Sequence, residues 1–466
     1  MTLTIYNTLK RAKEAFRPIH EGKIDLYVCG ITVYDYCHIG HARVLVAFDA
    51  ITRFLRSQGW DVTYVRNITD IDDKILVRAR ENGEPFTELT ERMIAAMHED
   101  ERALGVLPPD HEPLATAHIN EIITMVKNLV NNHYAYRASN GDVYYRIKRF
   151  PEYGKLSNKN PEELLSGARI EPGELKEDPR DFALWKAAGV SDVGWDSPWG
   201  WGRPGWHIEC SAMSTCLLGE TFDIHGGGPD LPFPHHENEI AQSEAATGKT
   251  FVHYWMHAGA VRVDDEKMSK SLNNFFTIRE VLAKYHPEVV RFFLLSSHYR
   301  SPINYSEANL IEARQGLERF YQALRNYAEV PAAGLGDLEG SVYYRRFVSA
   351  MNDDFNTREA FSAMYDLVRE LNADTKEGGG QAPALAAELK AMGAVLGLLV
   401  SDPNAFLQNS SAEEAVGEQR IKALIAERDA AKQNRDYARA DAIREVLKAE
   451  GVLLEDSREG TRWRRA

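Results

Sequence analysis

The stretch from Tyr27 to Arg43 constrains the fold more than any other part of the chain. It continues a mostly apolar run at residues 24–28 and passes through a His-Ile-Gly-His tetrad at 38–41. It then enters apolar residues at helical spacing over 44–55. Strand, turn and helix in this order place the turn at the carboxyl edge of a parallel sheet, where nucleotides bind. The tetrad therefore predicts a phosphate site, because its histidines and the helix start supply donors and its glycine lets a ligand approach.

Composition limits the class of protein. At 466 residues the chain is too long for one core, and its 44% hydrophobic and 27% charged residues are typical of a soluble protein. The first 18 residues lack the apolar segment of a secretory signal, and no run is long enough to span a membrane. We therefore expect a cytoplasmic protein without a membrane partner. The cysteines show no disulfide-scaffold spacing and are interpreted as metal ligands, packing residues or thiols; they are Cys29, Cys37, Cys210 and Cys216.

Alternating strand and helix patterns predict an α/β fold whose catalytic domain is a Rossmann-like parallel sheet with an insertion. An α-helical bundle and a small mixed α/β domain are expected to follow. The predicted divisions are the first half of the catalytic domain (1–115), the connective insertion (116–204), the second half (205–260), a lysine-rich loop region (261–310), the bundle (311–405) and the C-terminal domain (413–466).

A second motif strengthens the interpretation of the first. Lys267-Met268-Ser269-Lys270-Ser271 is a twice-basic loop after a mostly apolar run. In this order, the tetrad and the lysine loop resemble the signature of class I aminoacyl-tRNA synthetases. Further motifs resemble the cysteinyl-tRNA synthetase family over nearly the whole chain; they are Cys29, Arg66 to Asp70, Gly205 to Cys210 and His235 to Glu239.

Four residues form a candidate metal site. His235 and Glu239 are four apart and share a helix face, while Cys29 and Cys210 are candidates for the same sheet edge. Two thiolates, an imidazole and a carboxylate suit Zn²⁺ rather than Mg²⁺ or Ca²⁺. The resemblance implies that these four residues bind one Zn²⁺ per chain. Shape alone separates cysteine from serine by only about 10–200-fold, so we expect zinc–thiolate binding to provide the selectivity.

The resemblance implies a cysteine–tRNA ligase, which activates L-cysteine with ATP and transfers it to tRNA-Cys. Mg²⁺ should accompany ATP. We assign phosphate contacts to His38, Gly40 and His41, pyrophosphate contacts to Lys267 and Lys270, and nucleoside contacts to Gly226, Gly227 and Gly228, with Lys270 as a further ATP contact. The expected amino acid contacts are Gly30, Thr32, Thr69, Trp206 and Asp230.

The C-terminal domain is a candidate anticodon reader in a monomeric enzyme. The net charge of −14 argues against nucleic-acid binding, but the last ten residues hold four arginines around Trp463. Single-stranded bases are bound by aromatic stacking and by planar donors. The predicted tRNA contacts are Arg428, Arg435, Asp436, Arg439, Asp441, Arg462 and Trp463.

Other interpretations remain open at this stage. A related ligase activates cysteine and passes it to an amino sugar, but such enzymes lack a C-terminal anticodon unit. A synthetase-like RNA-binding protein without activity would be expected to have lost part of the tetrad, the lysine loop or the metal ligands. The C-terminal domain could also serve stability alone.

Overall fold

The computed structural model describes residues 2–159, 175–263, 266–267, 275–408, 415–434, 436–449, 452–457 and 460–465. The strands are β1 Thr4–Asn7, β2 Ala12–Ala15, β3 Lys23–Thr32, β4 Asp61–Thr69, β5 Ala135–Arg137, β6 Val143–Tyr145, β7 Phe182–Ala187, β8 Gly202–Pro204, β9 Phe222–Gly227, β10 Val252–His257, β11 Val261–Val263, β12 Glu266–Lys267, β13 Ile303–Tyr305, β14 Val452–Ser457 and β15 Gly460–Arg465.

Helices account for most of the remaining chain. They are α1 Ile39–Ser57, α2 Asp73–Asn82, α3 Phe86–Ala103, α4 Ile119–Asn131, α5 Trp206–Leu218, α6 Glu237–Thr247, α7 Ile278–Leu282, α8 Pro287–Leu295, α9 Glu307–Leu324, α10 Val342–Asn352, α11 Thr357–Glu377, α12 Ala382–Val395, α13 Pro403–Gln408, α14 Ala415–Gln433 and α15 Tyr437–Ala449. Within the described ranges, no helix is both long and apolar enough to cross a membrane.

The central sheet has four parallel strands in the order β10-β9-β3-β4. The chain moves outward from β3 to β4 on one side and continues with β9 and β10 on the other. This reversal creates a switch point between β3 and β9, and a ligand crevice forms at the carboxyl ends of the strands there. The apolar positions of α1 cover the sheet, with Phe48, Ile51 and Phe54 fully or almost fully buried. The predicted α/β class is confirmed.

The insertion between β4 and β9 contains a second sheet, which is antiparallel and ordered β5-β6-β7-β8. Three of these strands have only three residues, so each offers little alternation of apolar and polar side chains in the sequence. Tyr145 and Trp185 share a buried core with Ile208 of α5 and Ala241 of α6. The insertion therefore braces the two helices that carry candidate metal ligands.

The helical region is joined to the catalytic sheet by buried charges. Arg291 of α8 is fully buried and pairs with Asp49 of α1, and its Nε donates to the carbonyl of Leu396 at 2.8 Å. Because an unpaired buried guanidinium would be costly, these contacts fix α1 against the bundle.

The C-terminal unit, residues 415–465, packs two helices against the β14–β15 hairpin. Its core is small and comprises Ile421, Ile443, Leu447, Val452 and Trp463. Trp463 is only 4% exposed. The prediction that its ring offers a stacking plane for bases is therefore not supported, because the ring packs in the core of this unit.

Candidate active site and metal centre

A cavity of about 450 Å³ opens at the switch point of the parallel sheet. Its wall is formed by the end of β3, the start of α1, the turn after β9 and the segment before β11. The residues that line it include Cys29, Gly30, Thr32, Tyr34, His38, Gly40, His41, Arg66, Lys74, Trp206, Gly228, Asp230, Gly259, Ala260, Val261 and Phe275.

The start of α1 fixes the two tetrad histidines by a reciprocal cap. Nδ1 of His38 accepts from the backbone N–H groups of Gly40 (3.1 Å) and His41 (3.3 Å). Nδ1 of His41 in turn accepts from the backbone N–H of His38 at 3.3 Å. Burial lowers the pKa of His41 well below its ordinary value, so this ring is neutral. Because Nδ1 accepts a hydrogen bond in both rings, each ring has its proton on Nε2 and presents an N–H donor there.

The described residues around the lysine loop are anchored beside these histidines. The N–H of Ile39 donates to the carbonyl of Phe276 at 3.1 Å, and that of Ile278 donates to the carbonyl of Cys37 at 2.8 Å. The ring of Phe275 meets the ring of His38 edge-on, with centroids 5.0 Å apart. Upstream, Lys267 lies in β12, which pairs with β11. Lys270 lies outside the described residues.

Four predicted metal ligands converge beside the cavity, and one of them, Cys29, lines it. The Sγ atoms of Cys29 and Cys210 are 3.6 Å apart, and Sγ of Cys29 is 3.4 Å from Oε1 of Glu239. Nε2 of His235 is 3.0 Å from the same Oε1. All four residues are buried, and their candidate ligand atoms lie within 4.8 Å of one another. His235 is the fourth residue of a π-helical turn, Pro232–His236, directly before α6.

The protonation chemistry of this cluster fits a soft divalent cation. Burial lowers the pKa of His235 well below its ordinary value, so the ring is neutral. Although its Nε2 lies 3.0 Å from Oε1 of Glu239, the contact is not aligned as a hydrogen bond, and within the described part of the chain Nε2 has no other hydrogen-bond partner. Burial also raises the pKa of the Cys29 thiol well above its usual range. A cation would use the imidazole lone pair and stabilise the thiolate that burial disfavours, so the residues fit Zn²⁺.

Three further histidines surround the cluster and were not predicted. His225 contacts Oε2 of Glu239 through Nε2 at 2.8 Å. Nε2 of His236 is 3.3 Å from Sγ of Cys29. His236 also contacts His257 at 2.8 Å. These contacts orient the candidate ligands in the manner of an outer coordination shell. The sequence signal was weak, because His225 lies inside a strand and His257 at the end of another.

The predicted amino acid contacts divide into two groups. Gly30, Thr32, Trp206 and Asp230 line the cavity. The ring of Trp206 stacks on that of His235 at 4.2 Å between centroids and is 36% exposed. Thr69 is not among the residues that line this cavity. It is buried and donates to Glu209 at 3.1 Å, so direct contact with the amino acid is not supported.

The glycine turn after β9 also differs from the prediction. Gly228 lines the cavity, whereas Gly226 and Gly227 are not among its lining residues. A Cβ on Gly226 would overlap the Phe48 ring, and one on Gly227 would overlap Leu231 and His236. These two glycines permit close packing, so their predicted nucleoside contact is not supported.

The predicted anticodon contacts are also divided. Arg428 is 3% exposed and donates to Thr461 at 3.2 Å, so it is unavailable to bases. Arg439 is half exposed and pairs with Glu427 at 2.7 Å. Asp436 accepts from the backbone N–H of Arg439 at the start of α15. Asp441 is exposed, while Arg435 and the side chain of Arg462 lie outside the described residues.

Comparison with known families agrees with this geometry. Residues 15–315 match the model described as tRNA synthetases class I (C) catalytic domain. Residues 346–400 match the DALR domain, and this span is called the DALR segment below. The first match covers more than half of the chain and contains the whole cavity.

Curated relatives are similar along their entire length. Cysteine–tRNA ligase from Chromohalobacter salexigens is 62% identical over 462 residues, with 99% of both chains covered. That from Azotobacter vinelandii is also 62% identical and covers 100% of this chain and 99% of the relative.

Solved structures support the fold alone. Mycobacterium tuberculosis methionyl-tRNA synthetase in complex with methionyl-adenylate has a TM-score of 0.58 at 15% identity, covering 86% of this chain and 93% of that one. A ternary complex containing LeuRS from Agrobacterium radiobacter K84 has a TM-score of 0.58 at 12% identity, covering 84% and 85%.

Proposed function

The chain belongs to the cysteine–tRNA ligase family of class I aminoacyl-tRNA synthetases, and from that premise we propose a role for each part of the cavity. The reaction activates L-cysteine with ATP to cysteinyl-adenylate and transfers the cysteinyl group to the 3′ end of tRNA-Cys. One observation carries the proposed roles. Cys29 of the metal cluster and the histidines His38 and His41 line the same cavity, so a thiol and a triphosphate can meet there.

In the first step, the cysteine carboxylate attacks the α-phosphorus of ATP and pyrophosphate leaves. The carboxylate is already ionised and requires no general base. Negative charge develops on the phosphate oxygens, where donors already in place stabilise the transition state. We assign this role to the Nε2–H groups of His38 and His41, whose orientation is fixed by the reciprocal cap. Lys267 and Lys270 are assigned to the departing pyrophosphate, and Mg²⁺ accompanies ATP.

Selectivity is proposed to reside in the buried cluster. Zn²⁺ held by Cys29, Cys210, His235 and Glu239 would accept the substrate thiol as a thiolate, a ligand that serine cannot supply. His225 holds Oε2 of Glu239, which leaves Oε1 directed toward Cys29 and His235.

The rest of the amino acid is proposed to lie against three cavity residues. Asp230 provides a carboxylate for the α-ammonium group, and Trp206 and Thr32 border the same space. Gly30 lets β3 and β4 approach closely at this wall, because a Cβ there would overlap the carbonyl oxygen of Asn67. Its N–H donates to the side chain of Asn67 at 2.9 Å, which fixes the turn.

We propose that tRNA contacts both the DALR segment and the C-terminal unit. Arg439 and Asp441 are candidate contacts from α15, and Arg435 and Arg462 remain candidates from the sequence. The division into a split catalytic domain (1–115 and 205–260), insertion (116–204), lysine-loop region (261–310), bundle (311–405) and anticodon domain (413–466) stays a prediction. The cytoplasmic, monomeric state is likewise a prediction.

A charging assay tests the function directly. Purified protein, ATP and total tRNA are incubated with each labelled amino acid in turn, and label on tRNA is measured. We expect charging with cysteine and no detectable charging with serine. An amino sugar offered as the acceptor should receive no cysteine. Transfer to the sugar but not to tRNA would favour the related thiol-forming ligase, and absence of cysteine-dependent ATP–pyrophosphate exchange would refute the catalytic proposal.

A further inference from the structure

We propose that Asp354 is a positioning residue for adenylate formation. Its buried carboxylate links the N-terminal end of α11 to the cavity wall that leads into the lysine loop. The inference rests on the proposed placement of ATP beside that wall. Asp354 lies outside the cavity and three residues before α11, the longest helix of the DALR segment.

The carboxylate of Asp354 is fully buried and fully engaged. Its Oδ1 accepts from the backbone N–H of Tyr6 and from the hydroxyl of Tyr299, each at 2.9 Å. Its Oδ2 accepts from Nε of Arg300 at 2.7 Å. A buried carboxylate depends on such donors, and those from charged groups are the strongest. Asp354 therefore fixes the turn at residues 298–301.

This turn also holds the cavity wall. The N–H of Gly259, a cavity residue, donates to the carbonyl of Tyr299 at 2.7 Å. A Cβ on Gly259 would overlap the backbone of Ser301, so the two backbone segments are in direct contact. A displacement of one segment should therefore displace the other. Just beyond, β13 pairs in parallel with β11, which leads into β12 and the lysine loop. A shift of the turn would therefore move the base of that loop.

The signature helix is attached to the same turn. Arg43 of α1 is 1% exposed and donates to the carbonyls of Leu294 and His298, the latter at 2.6 Å. On the other side, Asp354 stands two residues before the N-cap of α11, Asn356. The turn at residues 298–301 thus contacts α1, the cavity wall at Gly259 and the segment at the N-terminal end of α11. Such a contiguous network can transmit a displacement between them.

The test compares two neighbouring aspartates. Asp354→Asn keeps the size of the side chain but places an amide N–H₂ or an uncharged oxygen against Arg300. Asp353→Asn is the matched control, because Asp353 is 56% exposed and pairs with Lys13 on the surface. Cysteine-dependent ATP–pyrophosphate exchange is measured with each purified full-length protein. We expect Asp354→Asn to raise the KM for ATP and lower kcat by about tenfold each, since small misplacements of reacting groups are costly.

The KM for cysteine should stay within about twofold of wild type, because none of the residues that contact the Asp354 carboxylate is a predicted metal ligand. Asp353→Asn should match wild type throughout. Arg300→Gln should reproduce the defect, and the double variant should be no worse than either single variant, because both act through one contact.

Two results would overturn the inference. One is a folded Asp354→Asn protein with wild-type kcat and KM for ATP. The other is a loss of kcat that matches the loss of active enzyme, with both KM values unchanged. The active fraction is measured by adenylate burst titration. That result would mean that Asp354 has a purely structural role. If Asp354→Asn does not fold, Arg300→Gln decides by the same criteria. Absence of exchange in the wild-type protein would refute the proposed function instead.

Discussion

The metal cluster and the C-terminal unit are built in opposite ways. The cluster assembles polar side chains from segments as far apart as Cys29 and Glu239 and buries all of them. The C-terminal unit is one contiguous segment whose buried residues are almost entirely apolar, with Trp463 among them. A large domain has enough apolar surface elsewhere to stabilise a buried polar site. A unit of some fifty residues has a small core and requires the ring of Trp463 to complete it.

This contrast explains why the sequence predicted which side chains converge at the sheet edge but did not predict the burial of Trp463. At the sheet edge, the topology dictates where the carboxyl ends of the strands meet, so residues with matching chemistry converge there. In the C-terminal unit, an aromatic residue among arginines suggested base stacking, but the hairpin directs that ring inward. Four predictions test whether each region depends on its chemistry or on its packing.

The first prediction concerns the metal cluster. Cys210→Ser should reduce bound zinc from about one per chain to near zero and lower cysteine activation by roughly 1,000-fold, because a hydroxyl is a poor substitute for thiolate. Metal content is measured by mass spectrometry of the purified protein, and activity by pyrophosphate exchange. Cys216→Ser is the control, because Cys216 is exposed and outside the cluster. Full zinc content in Cys210→Ser would contradict the assigned ligand set.

The second prediction concerns the C-terminal core. Trp463→Ala should destabilise the unit by about 3–5 kcal/mol and raise the KM for tRNA, while adenylate formation stays near wild type. Trp463→Leu keeps apolar bulk but has no aromatic plane, so it should charge tRNA within a few-fold of wild type. Hydrogen exchange of residues 415–465 reports folding. A folded Trp463→Leu protein that fails to charge tRNA would restore the stacking role.

The third prediction separates packing from chemistry within the tetrad. His38→Asn retains a good helix N-cap but removes the Nε2–H donor. It should lower kcat for pyrophosphate exchange by roughly 100-fold, as the loss of one transition-state donor does, with little change in melting temperature. His38→Ala removes both functions and should also lower the free energy of unfolding by about 1 kcal/mol. Wild-type turnover in His38→Asn would show that the cap alone matters.

The fourth prediction uses the buried histidine network. Burial lowers the pKa of His257 to about 3. Above the unfolded-state pKa of about 6.5, both states are neutral and stability is unaffected. Below it, the unfolded chain binds a proton that the folded chain does not, so stability falls as pH falls. From pH 7.5 to 5.0, His257 should contribute a loss of about 2 kcal/mol.

Urea unfolding at the two pH values checks this figure in wild type and His257→Gln. The variant should show a smaller pH-dependent loss, by about 2 kcal/mol. The C-terminal unit offers the contrast, since residues 413–466 contain no histidine. An equal loss in both proteins would mean that His257 is not a buried neutral group.

The sequence predicted those features that depend on strand order and on residue chemistry. It placed Cys29, Gly30 and the tetrad at one sheet edge, and the motif of two thiols, His235 and Glu239 indicated a soft metal. It could not predict that His236 would turn toward Cys29, because the π-helical turn before α6 alters the helical phase. Nor could it predict which glycines serve packing, since the ring of Phe48 that excludes a side chain at Gly226 comes from 178 positions earlier in the chain.

The wide spacing of the cluster has a consequence during translation. Cys29 is incorporated 210 residues before Glu239. At roughly 5–20 residues per second, the nascent thiol waits about 10–40 s before the last of its partners has been made. Throughout that interval on the ribosome, β3 carries a cysteine whose later partners have not yet been made. Thiol-reactive compounds should therefore damage newly made chains at Cys29 far more readily than finished protein.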